Sequence, residues 1–435
     1  MARVHGGSRL WIEGFHSTGW GGALEDTIDW LVPWIIGGAN LYNPHAVYYS
    51  TAGGYFEWAT PSTCWRQPYW GEYLAFAQIV ARPCSAAADG IRLTDFAILY
   101  PSTTVMSQLT PTVAAADVFD AVAHPRADFA HSESDAMLRE PLGRMVWRAP
   151  ETGLLNAVGM SSTLVDEESG SKASDGVDGV LEVGGNEHHI FVLPGVAALT
   201  SVAARRLTSF VIGGGTLVVL GTVPAMRGGL LDDPTPVCEL HVLIEEGHPK
   251  IKRYATVADF GEDIHSFSAR VESMVPTMLR RTSTGALWLL VPATASQASR
   301  PLEGSNDLVE GFALDRSLYD KRRSISVVGR YRVFARDLST GTSYQLASEI
   351  ADGGTSFVVR FDSALVASVE LQPVHVSLEL VEEARLHESV CELPSEGWEL
   401  RAVPIVADRW NDLGSDEDML VPRALRYEGA LADGS

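Results

Sequence analysis

At 435 residues and 46% hydrophobic content, the chain is long enough for about two to four domains, each with its own buried core. Its 33 basic against 55 acidic residues give a net charge of −22, which argues against nucleic acid and anionic membrane surfaces and leaves neutral polar ligands open. Cys64, Cys84, Cys238 and Cys391 form no Cys-x-x-Cys pair, so reduced thiols are expected in place of a disulfide framework or a zinc ribbon. The N-terminus lacks the apolar run of a secretory signal, and the stretch Phe210 to Leu220 is too short to span a membrane and is split by Gly213, Gly214 and Gly215. The chain therefore reads as soluble and cytoplasmic.

Ser8 to Phe15 reads as a strand ending near Glu13, and Leu24 to Ile36 as a helix that opens on acidic residues and kinks at Pro33. Asn40 to Tyr49 is a second strand, ending in Asn43, Pro44, His45 and two tyrosines, and Trp70 to Arg82 a second helix. Strand, helix, strand, helix is the order of two β/α units. In a β/α barrel the residues at the carboxyl ends of the strands point into the site, and here those positions hold Glu13 and His45. The same segment is rich in rings: seven of the eleven tryptophans precede residue 71, and six of the twelve tyrosines precede residue 74. A pyranose packs its C–H face on an aromatic plane while its hydroxyls seek carboxylates, amides and imidazoles, so the cluster points to carbohydrate. For any single tryptophan the competing role is the core.

Three stretches carry a resemblance: Glu-Gly-Phe-His-Ser-Thr-Gly-Trp-Gly-Gly-Ala-Leu-Glu-Asp-Thr (13–27), Gly-Ala-Asn-Leu-Tyr-Asn-Pro-His-Ala-Val-Tyr-Tyr-Ser (38–50) and Pro-Ser-Thr-Cys-Trp-Arg-Gln-Pro-Tyr-Trp (61–70). Together they resemble the last two strands of rhamnosidase-like bacterial glycoside hydrolases with a β/α barrel, over roughly residues 8 to 82. The resemblance implies that Glu13 is the carboxylate ending the seventh barrel strand and that His45 closes the eighth. It places Trp20, Asn43, Tyr48, Trp65, Arg66 and Trp70 around the sugar. Glycoside hydrolysis passes through an oxocarbenium-like transition state and uses two carboxyl groups, so Glu13 would be nucleophile or base. The second carboxyl normally comes from an earlier strand, and only about seven residues precede the strand bearing Glu13. Three explanations stay open: the chain is a segment of a longer enzyme, a second polypeptide supplies the other strands, or the unit is a noncatalytic carbohydrate-binding or structural scaffold. In isolation it is expected not to cleave a glycosidic bond. Glu25, Asp26, Glu57 and Glu72 read as helix-start acids and solvated glutamates. No cofactor is expected; a calcium ion is compatible with the resemblance, but no oxygen-ligand motif demands one.

From Ala88 to Cys238 strands alternate with helices: Thr94 to Tyr100, a helix over Thr110 to Val122, Leu181 to Val183, His189 to Leu193, a helix over Ser201 to Val211, and the strand Thr216 to Leu220. That alternation predicts a flavodoxin-like parallel sheet, and the layout resembles the class I amidotransferase-like domain of large glycosidases. Gly221-Thr222-Val223-Pro224 follows the last strand with no cysteine nucleophile, so that activity is not expected. His188 and His189 are adjacent and on a strand face opposite sides, which is poor geometry for one metal. Residues 166 to 187 are rich in Gly, Ser, Asp and Glu and read as a loop. Short alternating runs from Leu287 to Leu371 predict an antiparallel β-sandwich. Beyond it, Gly397-Trp398-Glu399-Leu400 and Trp410-Asn411-Asp412 resemble the opening of a galactose-binding-like β domain. The expected architecture is multidomain α/β plus β: a barrel remnant over 1–87, the flavodoxin-like domain over 88–240, the sandwich over 241–380, and an incomplete β domain or tail over 381–435.

Overall fold

Two short strands, β1 (Trp11–Gly14) and β2 (Leu41–Pro44), pair in parallel, joined by helix α1 (Leu24–Ile36) and followed by helix α2 (Tyr73–Ala88). The computed structural model describes residues 4–14, 23–45, 47, 63, 67–108, 133–144, 151–171, 178–301, 312–362, 364–374, 400–404 and 425–429. The helix read over Thr110 to Val122 lies outside these residues, as do Trp20, Tyr48, Trp65 and Arg66. Helix α1 has the bounds its periodicity predicts, and Pro33 lies inside it.

Five strands form an all-parallel sheet: β4 (Phe96–Leu99), β5 (Ser162–Val165), β8 (Ile190–Pro194), β9 (Thr216–Leu220) and β10 (Ile251–Tyr254), following β3 (Ile91–Leu93) and the hairpin β6 (Leu181–Val183) and β7 (Asn186–His188). Their spatial order is β10-β9-β8-β4-β5, which is 2-1-3-4-5 when the five are renumbered in chain order. Parallel strands covered on both faces read as continuous apolar runs, and the inner strands β4, β8 and β9 do. Phe191, Leu193, Leu217 and Val219 face one core with Leu207 and Phe210 of helix α5 (Ser201–Ile212) and Leu240 of helix α6 (Thr235–Glu245). Val192, Val218 and Leu220 face the other, with Leu138 of α4 (Glu133–Leu142) and Phe260 of α7 (Val257–Asp263). Helix α6 and strand β10 carry this sheet past residue 240, where the sequence reading drew a boundary. The stretch read as a loop over 166–187 holds a helical turn, Glu167–Ser171, and most of the β6–β7 hairpin. Gly184 and Gly185 turn that hairpin at φ +61° and +79°, the pair of positive values a type I′ turn requires.

The sandwich packs a six-stranded sheet on a four-stranded one. The larger has the order β16-β15-β19-β13-β12-β3 and the smaller β11-β14-β18-β17. These strands are β11 (Val271–Glu272), β12 (Met278–Arg281), β13 (Leu287–Pro292), β14 (Arg322–Val328), β15 (Tyr331–Arg336), β16 (Ser343–Gln345), β17 (Ser348–Ala351), β18 (Gly354–Arg360) and β19 (Val366–Pro373). Leu287, Leu289 and Val291 point inward to Ile325, Phe357 and Val359, while Met278 and Leu290 point outward into a core with Leu31, Ile35, Phe76 and Val80 of α1 and α2. The two helices are thus a shared layer, with β1–β2 on one side and the sandwich on the other. The apolar side of the strand pair that meets the helices is covered, while on its other face Trp11 stays 60% and Leu41 47% exposed. Asp29 locks the layer: its buried carboxylate accepts from the backbone N–H of Ala298 (2.9 Å) and Ser299 (2.8 Å) and from the Tyr319 hydroxyl (2.8 Å). Near the C-terminus, β20 (Leu400–Pro404) and β21 (Leu425–Gly429) form a two-stranded antiparallel pair.

Candidate active site

The carboxyl ends of β1 and β2 bring three of the sequence-predicted residues together. Glu13 and Asn43 are register partners, so their side chains leave the same face of the pair. One residue on, the backbone N–H of His45 donates to Gly14 O (3.1 Å). The His45 imidazole Nε2 then stands 3.9 Å from Glu13 Oε1, the carboxylate being 49% and the imidazole 29% exposed. A half-exposed carboxylate beside an imidazole can accept a proton, attack a carbocation-like centre or orient a hydroxyl.

Packing behind the strands sets this geometry. A Cβ built on Gly14 would fall 2.2 Å from the Trp30 ring, so glycine is what lets the indole of α1 lie against the end of β1. Trp30 and Trp34 pair with ring centroids 5.9 Å apart on α1, which makes both of them packing residues. At the other end of the strands the buried Asn40 amide holds β1 to β2: it accepts from Leu10 N (3.0 Å) and donates to Ser8 O (3.1 Å). Sequence reading took Asn40 only as the first residue of a strand. Tyr42 faces the helices, and burial, with Tyr73 and Tyr69 adding to it, pushes its phenol well above the ordinary range. Trp70 belongs to a separate 3-10 turn, Pro68–Glu72, where it is exposed and stacks on Tyr73 at 5.1 Å.

The neighbouring acids have other work. Glu25 takes Arg316 Nε at 3.0 Å, and Asp26 closes the N-terminus of α1 by accepting from Ala23 N (2.9 Å). Glu57 lies outside the described residues. Among the described residues no group of three or more His, Cys, Asp or Glu is placed to hold a metal ion, and no helix is long and apolar enough to cross a membrane.

The five-stranded sheet also has a carboxyl edge, with a switch point between β4 and β8 where ligands of such sheets bind. Here the edge is closed by the protein's own groups. Thr104 of α3 (Ser102–Gln108) accepts from Ala197 N (3.1 Å) and Ala198 N (3.0 Å), and Ser134 Oγ donates to Gly195 O (2.5 Å). Glu133 accepts from Thr222 N (2.8 Å) and from the Thr222 hydroxyl. Glycines Gly195 and Gly221 occupy the turns after β8 and β9 at φ +55° and +68°, where a nucleophile elbow would need a reactive side chain. His188 and His189 face opposite sides as expected, His188 buried and His189 exposed.

No protein-family model matches the chain, and no curated protein matches it in sequence. Among solved structures its fold is similar to that of a rhamnosidase from Novosphingobium sp. PP1Y, at TM-score 0.56 and 14% identity over 91% of this chain and 34% of that one. Alpha-L-fucosidase isoenzyme 2 from Paenibacillus thiaminolyticus matches at TM-score 0.46 and 10% identity, over 81% of this chain and 58% of that one. An exo-carrageenase from Bacteroides ovatus matches at 0.35 and 10%, over 82% and 40%. The chain spans about a third of the length of the rhamnosidase, and what it shares with that protein is a mixed α/β fold with parallel and antiparallel sheets.

Proposed function

We propose that this chain is part of a rhamnosidase-like glycoside hydrolase, with β1 and β2 the last two strands of its β/α barrel and Glu13 its nucleophile or general base. The observation that carries the reading is the meeting of Glu13 and His45 at the carboxyl ends of adjacent parallel strands, 3.9 Å apart. The exposed Trp11 and Leu41 on the same face support it, since in a closed barrel those positions pack against the interior side chains of other strands. The 2-1-3-4-5 sheet supports a flavodoxin-like, amidotransferase-like neighbour without amidotransferase chemistry. Hydrolysis needs a second carboxyl group. Glu25 and Asp26 are engaged at the start of α1 and Glu72 is exposed in its 3-10 turn, which supports a second carboxyl supplied from beyond the described residues, in a longer chain or in a second polypeptide. Trp20, Tyr48, Trp65, Arg66 and Trp70 would complete the sugar's surroundings, with Asn43 bonding a hydroxyl.

The same engagement of the nearby acids favours a second reading, a scaffold that grips carbohydrate without cleaving it. Assay with aryl rhamnosides and other aryl glycosides, alone and with the upstream gene product, separates the two. Turnover that drops roughly 10³-fold in Glu13→Gln supports the hydrolase. Saturable sugar binding with no turnover in either setting supports the scaffold, and turnover indifferent to Glu13→Gln sinks the site assignment.

A further inference from the structure

The β6–β7 hairpin stands apart from the five-stranded sheet beside it. Among the described residues its two strands hydrogen-bond as a two-stranded sheet of their own. Side chains tie it down: Leu181 and Val183 enter the core with Phe191 and Leu193, and Asn186, 4% exposed, donates through Nδ2 to Thr94 Oγ1 at 3.0 Å. Strand β3 backs the hairpin, with the Ile91 side chain close to its Gly184–Gly185 turn. Val183, Gly184 and Asn186 form one wall of a cavity of about 650 Å³ where the three structural layers meet. A small unit held by few side chains opens at a lower free energy than the sheet it lies on.

His188 closes the base of this hairpin, opposite Leu181. Its ring is 1% exposed, and neither nitrogen has a hydrogen-bond partner among the described residues. Such a ring stays buried only while neutral, because an imidazolium there would have neither water nor an acceptor. Burial opposes the proton most, and the neighbouring Arg270 and His189 add to it. The other charged groups on the surrounding elements are engaged or exposed. Arg92 of β3 donates to Gly37 O (2.7 Å) and Ile36 O (3.2 Å), and Asp95, just before β4, accepts from Ser161 N (2.8 Å) and Arg270 N (2.8 Å). Glu182 and Glu187 of the hairpin itself are exposed.

We propose that the β6–β7 hairpin is an acid-released flap: protonation of His188 detaches it and opens one wall of the cavity, while the five-stranded sheet stays folded. This device is independent of the reading of Glu13. Hydrogen exchange of the intact chain tests it, with amide protection corrected for intrinsic rates at pH 7 and pH 5. The ring takes its proton at 6.5 when released and at about 4 when buried, so the opening constant of the hairpin should rise roughly twentyfold between those two conditions. At pH 5 the amides of 181–188 should exchange at least tenfold faster than those of β8 and β9. His188→Leu should remove the acid dependence from the hairpin. Asn186→Ala should speed hairpin exchange at both pH values and keep their ratio. Where His188→Leu does not fold, the imidazole resonances of the parent chain decide, and they should not titrate between pH 7 and pH 5. Hairpin and β8–β9 amides that exchange together at pH 5 overturn the proposal, since the opening is then global. So does an acid dependence that survives His188→Leu, or a ring that titrates near 6.5 with the hairpin still protected.

Discussion

The β1–β2 pair and the five-stranded sheet end their parallel strands in opposite ways. In the five-stranded sheet, Thr104, Ser134 and Glu133 spend their polar atoms on the loops that follow β8 and β9. At the ends of β1 and β2, Glu13 and His45 are part-exposed and lean toward each other instead. A fold alone does not say which strand end carries a site, so fold resemblance would have pointed to either edge. Two glutamates make the contrast concrete. On the proposed function, Glu13→Gln should cost roughly 10³-fold in any glycosidase turnover the chain shows with its upstream gene product and little stability, whereas Glu133→Gln should leave that turnover unchanged and cost about 1 kcal/mol in denaturant unfolding. Reversal of that pattern would move the active edge to the larger sheet.

Two histidines extend the comparison to pH. His45 is part-exposed beside a carboxylate, while His188 is 1% exposed, with neither ring nitrogen hydrogen-bonded among the described residues. Burial, then Arg270 and His189, pushes His188 from 6.5 down to about 4. Between those values the unfolded chain binds a proton that the folded chain refuses. This contribution to stability is therefore intact above pH 6.5 and falls as pH drops toward 4, by on the order of 3 kcal/mol in all. Urea midpoints measured across that window should show the slope, and His188→Leu should flatten it; an unchanged slope in that variant would assign the titration elsewhere.

How much of this was legible in the sequence depended on how local the determinants are. Thr216–Leu220 and Leu24–Ile36 have the bounds read from their apolar patterns, because a buried parallel strand and an amphipathic helix write their burial into consecutive residues. Strand β3 joins β12 nearly two hundred positions later, a pairing that no local period encodes. Strand β6 has the bounds read for it, while its partner β7 was hidden by the polar composition around it, although Val183-Gly184-Gly185-Asn186 carries a turn signal. The placement of Glu13, Asn43 and His45 at neighbouring strand ends was readable because the strand-helix-strand order sets it. Asn40 and Asn186 were not, since a lone asparagine looks the same in sequence whether it caps a turn, ties two strands or lines a cavity.

A further substitution probes how firmly the larger sheet's edge is closed. The Thr104 hydroxyl accepts two backbone N–H groups and donates to Ala198 O at 3.1 Å, all within one buried loop. Thr104→Val keeps the shape and removes the oxygen, so the amides of Ala197 and Ala198 lose their acceptor while the wall of the crevice stays in place. Two stranded donors would cost several kcal/mol if nothing relaxed; a loop that shifts to admit water keeps the loss to about 2 kcal/mol. Unfolding in urea reads that loss directly, and glycosidase turnover should not change with it. A variant as stable as the parent would mean that these hydroxyl bonds do not hold the edge shut, and the contrast with the open ends of β1 and β2 would then rest on Glu133 and Ser134 alone.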